Sequence, residues 1–456
     1  MPATPEISPT DGGRAGLSVA ARGSGDVIAT HGVHWGRRRA ILLVVFVTYS
    51  LAYLDRANYG FGAAAGMAHT LSITQGRTAL LGGLFFLGYF AFQVPGMLAA
   101  KRYSCTRLVF VALIAWGTLA ALTGVLHQFW LLALDRLLLG VAESMIFPAL
   151  LLLLTRWFTK AERSRANTML MLGNPVTVLW MSAITGYLIE RFGWQHTFIL
   201  EGIPSVVWAL VWIFTMRDQP KLARWFPQAA AEHLTCRLED DQRAIPVVAG
   251  AKLSLGAALL RGDVVLLSVQ YFCWSLGVYG FVLWLPSIVR RGASLGMGRT
   301  GLVSAAPYLA AILLMLLVST ISDRTQLRRE MVWPPLLISG LALMGSFLLA
   351  PHGFWGAFVC LIVAGGCMYA PYGPFFSIFP ERIPQSRVGE VMALVNSAGA
   401  LGGFAGTYLV GLLQAVTGNA RAGYLLMSLS LVASAVLTIL LPKQKTPIGK
   451  PEVAHA

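Results

Sequence analysis

Charged residues are scarce in this chain of 456 residues. They make up 12% of the sequence, whereas 56% of the residues are hydrophobic and the mean hydropathy is +0.66. A water-soluble protein carries about 25% charged residues and needs them to cover its surface. Half that share leaves too little polar surface to face water. The composition therefore excludes a soluble globule and indicates a protein that is surrounded mostly by lipid.

Cysteine is also rare, and its spacing carries no metal or disulfide signal. The five cysteines form no C-x-x-C pair, and most of them lie in apolar runs (Cys105, Cys236, Cys273, Cys360 and Cys367). This pattern argues against a disulfide framework and against a zinc site. The chain also lacks the H-E-x-x-H motif of metalloproteases. We therefore expect no enzyme activity, no bound metal and no cofactor.

What the chain has in excess is basic residues. Its 35 Lys and Arg against 20 Asp and Glu give a formal net charge of +15. Such an excess fits nucleic-acid binding, but it also fits the cytoplasmic loops of a membrane protein. With the N-terminus inside, 27 of the basic residues fall on the cytoplasmic side, six outside and two within apolar spans. We therefore expect both termini in the cytoplasm and no nucleic-acid partner.

Twelve apolar runs are long enough to cross a bilayer, which takes about 20 residues. They lie near 40–66, 80–100, 106–126, 129–155, 168–189, 196–216, 264–289, 300–321, 332–351, 354–379, 391–416 and 422–441. The predicted fold is an all-α membrane protein with two six-helix bundles, over 40–216 and 263–442. A charged cytoplasmic loop (217–262) joins them, and cytoplasmic tails (1–39, expected to be disordered, and 443–456) flank them. Two such halves around a central site are typical of secondary transporters.

Four ionisable residues inside the predicted spans stand out. An ionisable group at mid-bilayer costs about 2.5–3.5 kcal/mol on insertion scales, so each needs a partner or a function. Arg136 and Glu143 lie seven residues apart on one helix face, about 10 Å along the axis, which is too far for direct pairing. Asp55 and Arg56 on the first span are candidates to bridge them. The four residues could simply neutralise one another in packing. Alternatively, an arginine fork binds a substrate carboxylate while a water-shielded acid exchanges protons.

The spans of the second half contain no charged residue in their cores, only neutral polar groups. Candidate substrate-binding residues, beside the two buried arginines, are Tyr53, Tyr89, Asn174, Tyr279, Ser377 and Asn396. A single tyrosine is more often a core or interface residue. A mid-helix asparagine needs a partner, which is either another helix or a substrate. In this pattern the first half would hold the substrate carboxylate and the proton, and the second half would offer side chains with hydroxyl groups. Such a division suits a hydroxylated organic acid as the substrate.

One cytoplasmic loop of the second half and two span motifs resemble a known family. Asp323-Arg324 followed by Arg328-Arg329 gives the D-R-x-x-x-R-R loop, which resembles that of the major facilitator superfamily and would act as a cytoplasmic gate. Tyr53-Leu54-Asp55-Arg56-Ala57-Asn58, with Arg136-x-x-x-Gly140-x-x-Glu143, resembles the anion:cation symporter family within it. That family includes bacterial carriers of galactonate, hexuronates, tartrate and phthalate.

The resemblance implies roles for individual residues. Asp55 and Glu143 fall on protonation positions, Arg56 on a substrate-carboxylate position, and Arg136 on a substrate or coupling position. Tyr89, Asn174 and Asn396 align with pocket positions of sugar-acid members. One departure is the loop over 96–102, which lacks the superfamily's aspartate. We therefore expect no acidic latch there.

The sequence thus predicts a proton-driven symporter that imports a small organic anion, most plausibly a sugar acid such as an aldonate or hexuronate. The expected setting is the inner membrane of a bacterium, with lipid, substrate and proton as partners and a monomer as the working unit. One alternative is a carrier of aromatic or dicarboxylic acids of the hydroxyphenylacetate, phthalate or tartrate type. Another is a transporter-like membrane sensor that signals through the 217–262 loop.

Overall fold

The computed structural model describes residues 17–243, 256, 259–383, 387–418 and 421–442. Over these residues the chain is helical, with turns and short loops and no β-strand. The first half contains the helices Leu17–Ala64, Met67–Thr70, Gln75–Arg102, Cys105–Thr123, Phe129–Ser144, Ile146–Trp157 and Lys160–Thr215. The second half contains Gly262–Ala293, Met297–Thr325, Trp333–Leu349, Phe354–Tyr369, Tyr372–Arg382, Val388–Thr417 and Arg421–Leu440.

Eleven of the described helical stretches are long and apolar enough to cross a membrane, whereas the sequence shows twelve apolar runs. The difference lies in Ala166–Thr215, a single stretch of 50 residues that covers two of the predicted runs. A straight helix of that length would be about 75 Å long, more than twice the thickness of the hydrocarbon core. The helical backbone is interrupted at Gly193, which has φ 78° and ψ 165°. Glycine adopts a positive φ without steric cost, so the interruption falls on the residue suited to it.

Two other membrane-crossing stretches are each built from two helices. Phe129–Trp157 divides at Met145, and Phe354–Phe379 divides at Ala370 and Pro371. Proline has no backbone N–H to donate to the carbonyl four residues before it, which interrupts the helix at the second division. Broken helices of this kind line the central sites of many transporters.

The N-terminal tail is shorter than predicted. The first helix begins at Leu17, inside the segment expected to be disordered, and its apolar span begins at Arg39. No proline interrupts residues 10–39, so the helix can continue upstream of the span. Residues 1–16 and the C-terminal tail over 443–456 lie outside the described residues.

The linker between the halves is partly structured and docked on the first half. It contains the short turn Pro220–Leu222 and the helix Gln228–Arg243. The Asp218 carboxylate accepts hydrogen bonds from the backbone N–H (2.9 Å) and hydroxyl (3.1 Å) of Thr106. The rings of Trp157 and Trp225 stack with centroids 5.7 Å apart. We call the end of the molecule that carries this linker the linker end, and the opposite end, where the first helix finishes, the distal end.

The two halves are in close backbone contact at the distal end. A Cβ atom placed on Gly60 would lie 2.7 Å from the carbonyl oxygen of Leu283 in the other half. A Cβ on Gly186 would lie 2.6 Å from the carbonyl oxygen of Met297, and the facing Gly301 is packed as tightly. Only glycine permits backbones to approach this closely. The distal end is therefore closed, and the space between the halves lies below it.

Candidate functional site

A narrow cavity lies at the centre of the molecule, between the two halves. It contains about 600 Å³ of empty space. Eleven aromatic rings line it: Tyr49, Tyr53, Phe85, Phe86, Tyr89, Phe147, Tyr271, Tyr279, Tyr369, Tyr372 and Phe376. The polar residues that complete the lining are Arg56, Asn174, Ser275 and Asn396. Concave, mostly apolar sites with a few placed polar groups are typical of small-molecule binding.

Arg56 is the charged residue of this lining, and its partner lies just behind it. The Arg56 Nε donates to Oε2 of Glu143 at 2.7 Å, and the two side chains are 7% and 0% exposed. The Arg56 guanidinium also lies over the rings of Tyr53 (4.9 Å) and Tyr89 (4.6 Å). Glu143 occupies the last turn of Phe129–Ser144, next to the division at Met145. Arg56 on the first helix thus pairs with Glu143, whereas the expected bridge from Glu143 to Arg136 is not seen among the described residues.

Arg136 and Asp55 lie outside the cavity lining. The Arg136 guanidinium is buried over the rings of Tyr59 (4.6 Å) and Phe85 (5.5 Å). Asp55 is 1% exposed, and neither of its carboxyl oxygens has a hydrogen-bond partner among the described residues. Since Phe85 stands between Arg136 and the cavity, the prediction that Arg136 contacts substrate is not supported by its position. Both residues belong to a cluster of buried charged side chains behind the cavity lining.

Six of the residues predicted to bind substrate do line the cavity. They are Tyr53, Arg56, Tyr89, Asn174, Tyr279 and Asn396. The hydroxyl oxygens of Tyr53 and Tyr279 lie 3.4 Å apart, so this pair joins the two halves. Ser377 does not line the cavity, because its hydroxyl donates to the Gly373 carbonyl of its own helix at 2.9 Å.

The structure adds a buried carboxyl group that the search for site residues missed. Glu201 is 5% exposed and accepts hydrogen bonds from Asn58 Nδ2 (3.0 Å) and Thr185 Oγ1 (2.5 Å). The sequence does contain a signal for Glu201, because this residue lies inside an apolar run, which is the criterion that identified Glu143. Asp135 is also buried, at 4% exposed, and accepts from Thr123 at 2.6 Å.

The aromatic lining in the second half comes from helices that are separate in the chain. Tyr271, Tyr369 and Tyr372 come from three separate helices. Tyr271 stacks on Phe375 with ring centroids 5.1 Å apart, which fixes its position. Tyr369 and Tyr372 are three residues apart, but no spacing rule joins Tyr271 to them, so only folding brings the three rings to one wall.

At the linker end the predicted gate residues pair within the second half. Arg328 Nη1 donates to Asp323 Oδ1 at 2.5 Å and to Ser322 Oγ at 3.0 Å, while Arg324 is exposed. An ion pair between the halves forms elsewhere, from Lys101 Nζ to Glu390 Oε1 at 2.8 Å. Lys101 lies in the segment 96–102 that lacks the superfamily's aspartate; this segment is the end of the helix Gln75–Arg102 and not the expected loop. The contact across the halves there uses a lysine instead.

Residues 292–296 read Gly-Ala-Ser-Leu-Gly and match the G-x-S-x-G pattern of serine hydrolases. That pattern acts at a sharp turn from a strand into a helix. Here Ser294 follows the end of Gly262–Ala293 with φ 51°, and the described residues contain no strand. The match therefore carries no hydrolase site.

Comparison with known proteins agrees with this architecture. Residues 45–407 match the family model of the Major Facilitator Superfamily. A protein named "Putative tartrate transporter" from Agrobacterium vitis is 28% identical over 409 residues, covering 88% of this chain and 90% of the relative. A quinolone resistance transporter of Acinetobacter baumannii is 28% identical over 423 residues, covering 89% and 95%.

Among solved structures, the fold is similar to that of a bacterial homologue of the human lysosomal transporter Spinster, in an inward-facing and unoccupied conformation. The TM-score is 0.68 at 16% sequence identity, over 89% of this chain and 95% of that one. Fold, span composition and family match agree. The chain belongs to the Major Facilitator Superfamily and is a multi-pass membrane transporter, not an enzyme.

Proposed function

We propose that this protein is a proton-coupled symporter of small organic monocarboxylates, with sugar acids as the first candidate class. The observation that carries the proposal is the buried pair of Arg56 and Glu143 at the wall of the central cavity. Arg56 is available to a ligand in the cavity, and Glu143 competes with that ligand for the same guanidinium. Substrate binding and the protonation of Glu143 are thereby linked.

The charge of the cavity supports an anionic substrate with one carboxylate. Arg56 is the charged lining residue, and a guanidinium matches a carboxylate in a bidentate geometry. A dicarboxylate would leave its second charge against aromatic rings and neutral groups, which is costly. The tartrate named for one relative keeps dicarboxylates among the compounds to be tested.

The neutral lining supports a polyhydroxylated acid. Seven tyrosine hydroxyls, two asparagine amides and the Ser275 hydroxyl face the cavity or border it. A sugar acid needs such partners, because each unsatisfied hydroxyl in a dry site costs about 1–3 kcal/mol. The second candidate class is an aromatic monocarboxylate, favoured by the eleven rings of the lining. Either class uses Arg56 for its carboxylate.

Charge balance supports coupling to protons. Asp55, Glu143 and Glu201 are buried in one region of the first half together with two buried guanidinium groups, those of Arg56 and Arg136. With all three acids ionised the group would carry an excess negative charge in a low-dielectric interior, at a penalty of several kcal/mol. Retaining at least one proton removes the excess. When Glu143 takes that proton, Arg56 is released to bind a substrate carboxylate.

The proposed orientation places the linker end in the cytoplasm, following the count of 27 basic residues against six. The polypeptide then crosses twelve times, with Gly193 dividing Ala166–Thr215 into two crossings. In this orientation the closed distal end faces outward, so the structure corresponds to a state that is closed to the outside. Protons moving inward down their gradient drive the accumulation of the anion.

The test is uptake by purified protein in proteoliposomes with an imposed pH gradient. An aldonate, a hexuronate, an aromatic monocarboxylate and tartrate compete against one labelled substrate. Arg56→Lys, which keeps the charge but loses the fork, is expected to weaken uptake of every accepted acid. Uptake that follows a sodium gradient alone would overturn proton coupling. Ligand binding without accumulation would favour the sensor alternative.

A further inference from the structure

A second, wider pocket lies at the distal end, between the halves and outside the closed contact. It contains about 850 Å³ of empty space, including space that is open to solvent. We call it the distal pocket. Its lining consists of Ala63, Ala64, Gln75, Ser287, Arg290, Arg291, Ser294 and Leu295. Three of these come from the first half and five from the second, so the pocket lies across the line along which the halves meet.

The distal pocket is strongly electropositive. Among the described residues, neither Arg290 nor Arg291 has a carboxylate within ion-pair distance, and Arg291 is exposed. The loops and helix ends at this end contain six arginines and one glutamate, Glu190. The Glu190 carboxylate is engaged, because its Oε2 accepts from the Gly298 N–H at 2.6 Å. A concave site lined by charge of one sign concentrates oppositely charged ligands.

One arginine of this pocket also holds the halves together. The Nη1 of Arg290 donates to the carbonyl oxygen of Ala64, the last residue of the first helix. The final carbonyls of a helix have no partner within it and carry the negative end of its dipole, so a guanidinium satisfies this one well. The contact lies next to the close approach of Gly60 to Leu283. Arg290 thus connects the pocket directly to the closed distal contact.

We propose that the distal pocket is a first binding site for the carboxylate of an incoming organic anion, before it reaches Arg56. Arg291 holds the carboxylate, and Arg290 turns from the Ala64 carbonyl to the same anion. A carboxylate is the stronger acceptor for a guanidinium, so the anion removes one of the contacts that keep the distal end closed. The inference rests on the proposed transport of organic anions and adds to it a second anion site.

The kinetic test compares Arg291→Gln with Arg299→Gln, an exposed arginine at the same end that does not line the pocket. We expect the KM of Arg291→Gln for uptake to rise about three- to tenfold at low ionic strength with kcat unchanged. The difference should shrink at high salt, where charges are screened over about 3 Å. A KM equal to that of Arg299→Gln at every ionic strength would overturn the proposal.

A second measurement does not depend on transport. Ser294→Cys is introduced in a Cys236→Ser background, since Cys236 is the exposed native cysteine. We expect an anionic thiol reagent to react with this new thiol faster than a cationic reagent of similar size. Changing Arg291 to Gln as well should lower that preference about threefold, and gluconate or benzoate should slow the anionic reagent.

The two measurements separate the two proposals. Anion protection of the thiol without any uptake by the wild-type protein would refute the proposed function and keep the anion site. Uptake by the wild-type protein with no charge preference at the thiol, and no KM change in Arg291→Gln, would refute the anion site and keep the proposed function.

Discussion

Replacing Glu143 by Gln tests the proposed link between substrate binding and proton coupling. The wild-type carboxylate accepts from Arg56 Nε at 2.7 Å, and neither side chain faces water to any extent. The carboxylate bond joins two ions, whereas the amide bond keeps only the guanidinium charge, and a charged partner adds about 1–1.5 kcal/mol to a hydrogen bond. The amide keeps the size of the side chain and a carbonyl acceptor for Arg56. The substitution therefore weakens the hydrogen bond with which residue 143 competes against a substrate for Arg56, by about 1.5 kcal/mol.

That difference predicts substrate binding about tenfold tighter than in the wild type at high pH, because 1.4 kcal/mol corresponds to a factor of ten. Binding should also lose most of its pH dependence. Uptake driven by a pH gradient should be abolished while exchange of external for internal substrate continues. Binding is measured by titration calorimetry over a pH series, and uptake and exchange in proteoliposomes.

The matched control is Asp135→Asn, a buried acid on the same helix that bonds to Thr123 rather than to Arg56. It should keep uptake driven by the pH gradient. Full gradient-driven uptake by Glu143→Gln, or a loss of uptake that is equal in the two variants, would refute the assignment of Glu143 as the coupling acid.

Three further substitutions test the closure of each end and the buried acids. Gly301→Ala should disfavour the closed distal end and lower net uptake at least several-fold, whereas Gly356→Ala, with no atom within 4 Å of its added carbon, should leave uptake unchanged in the same assay. Lys101→Glu breaks the ion pair with Glu390, and a partly exposed pair of this kind contributes about 0–1 kcal/mol. Uptake should therefore fall modestly, and it should recover when Glu390→Lys is added. Glu201→Leu leaves the buried donors of Asn58 and Thr185 unpaired and should destabilise the protein by about 1–3 kcal/mol. The measurement is the midpoint of thermal unfolding, which should be lower than that of Glu201→Gln.

Patterns that depend on short spacing or on composition could be predicted from the sequence. The positions of the apolar runs follow from hydropathy, and the link from the first helix to Glu143 follows from the cost of an unpaired ion in lipid. The structure confirms both through the spans and through the 2.7 Å contact of Arg56 with Glu143. The near-continuous helix over Ala166–Thr215 could not be predicted, because one glycine with a positive φ separates its two parts without a loop.

The wall on which each buried group lies could not be predicted either. Arg56 and Arg136 look alike in the sequence, since both lie in apolar runs next to an aspartate. Only the packing of Phe85 separates them, with Arg56 at the cavity and Arg136 behind it. Ser377 was assigned to the site because it is polar, but its own helix backbone takes its hydroxyl. Such outcomes depend on side-chain packing, which spacing rules do not contain.

Among the described residues, the second-half wall of the cavity has no charged side chain, and this has a consequence for how such a carrier can be altered. Residues such as Tyr279 and Asn396 can be exchanged without changing the buried charges of the first half. Under the proposed mechanism, selection can therefore change the substrate through the second bundle while the first bundle keeps the groups proposed to carry the proton. A small library confined to the second-half wall is the natural starting point for retargeting it.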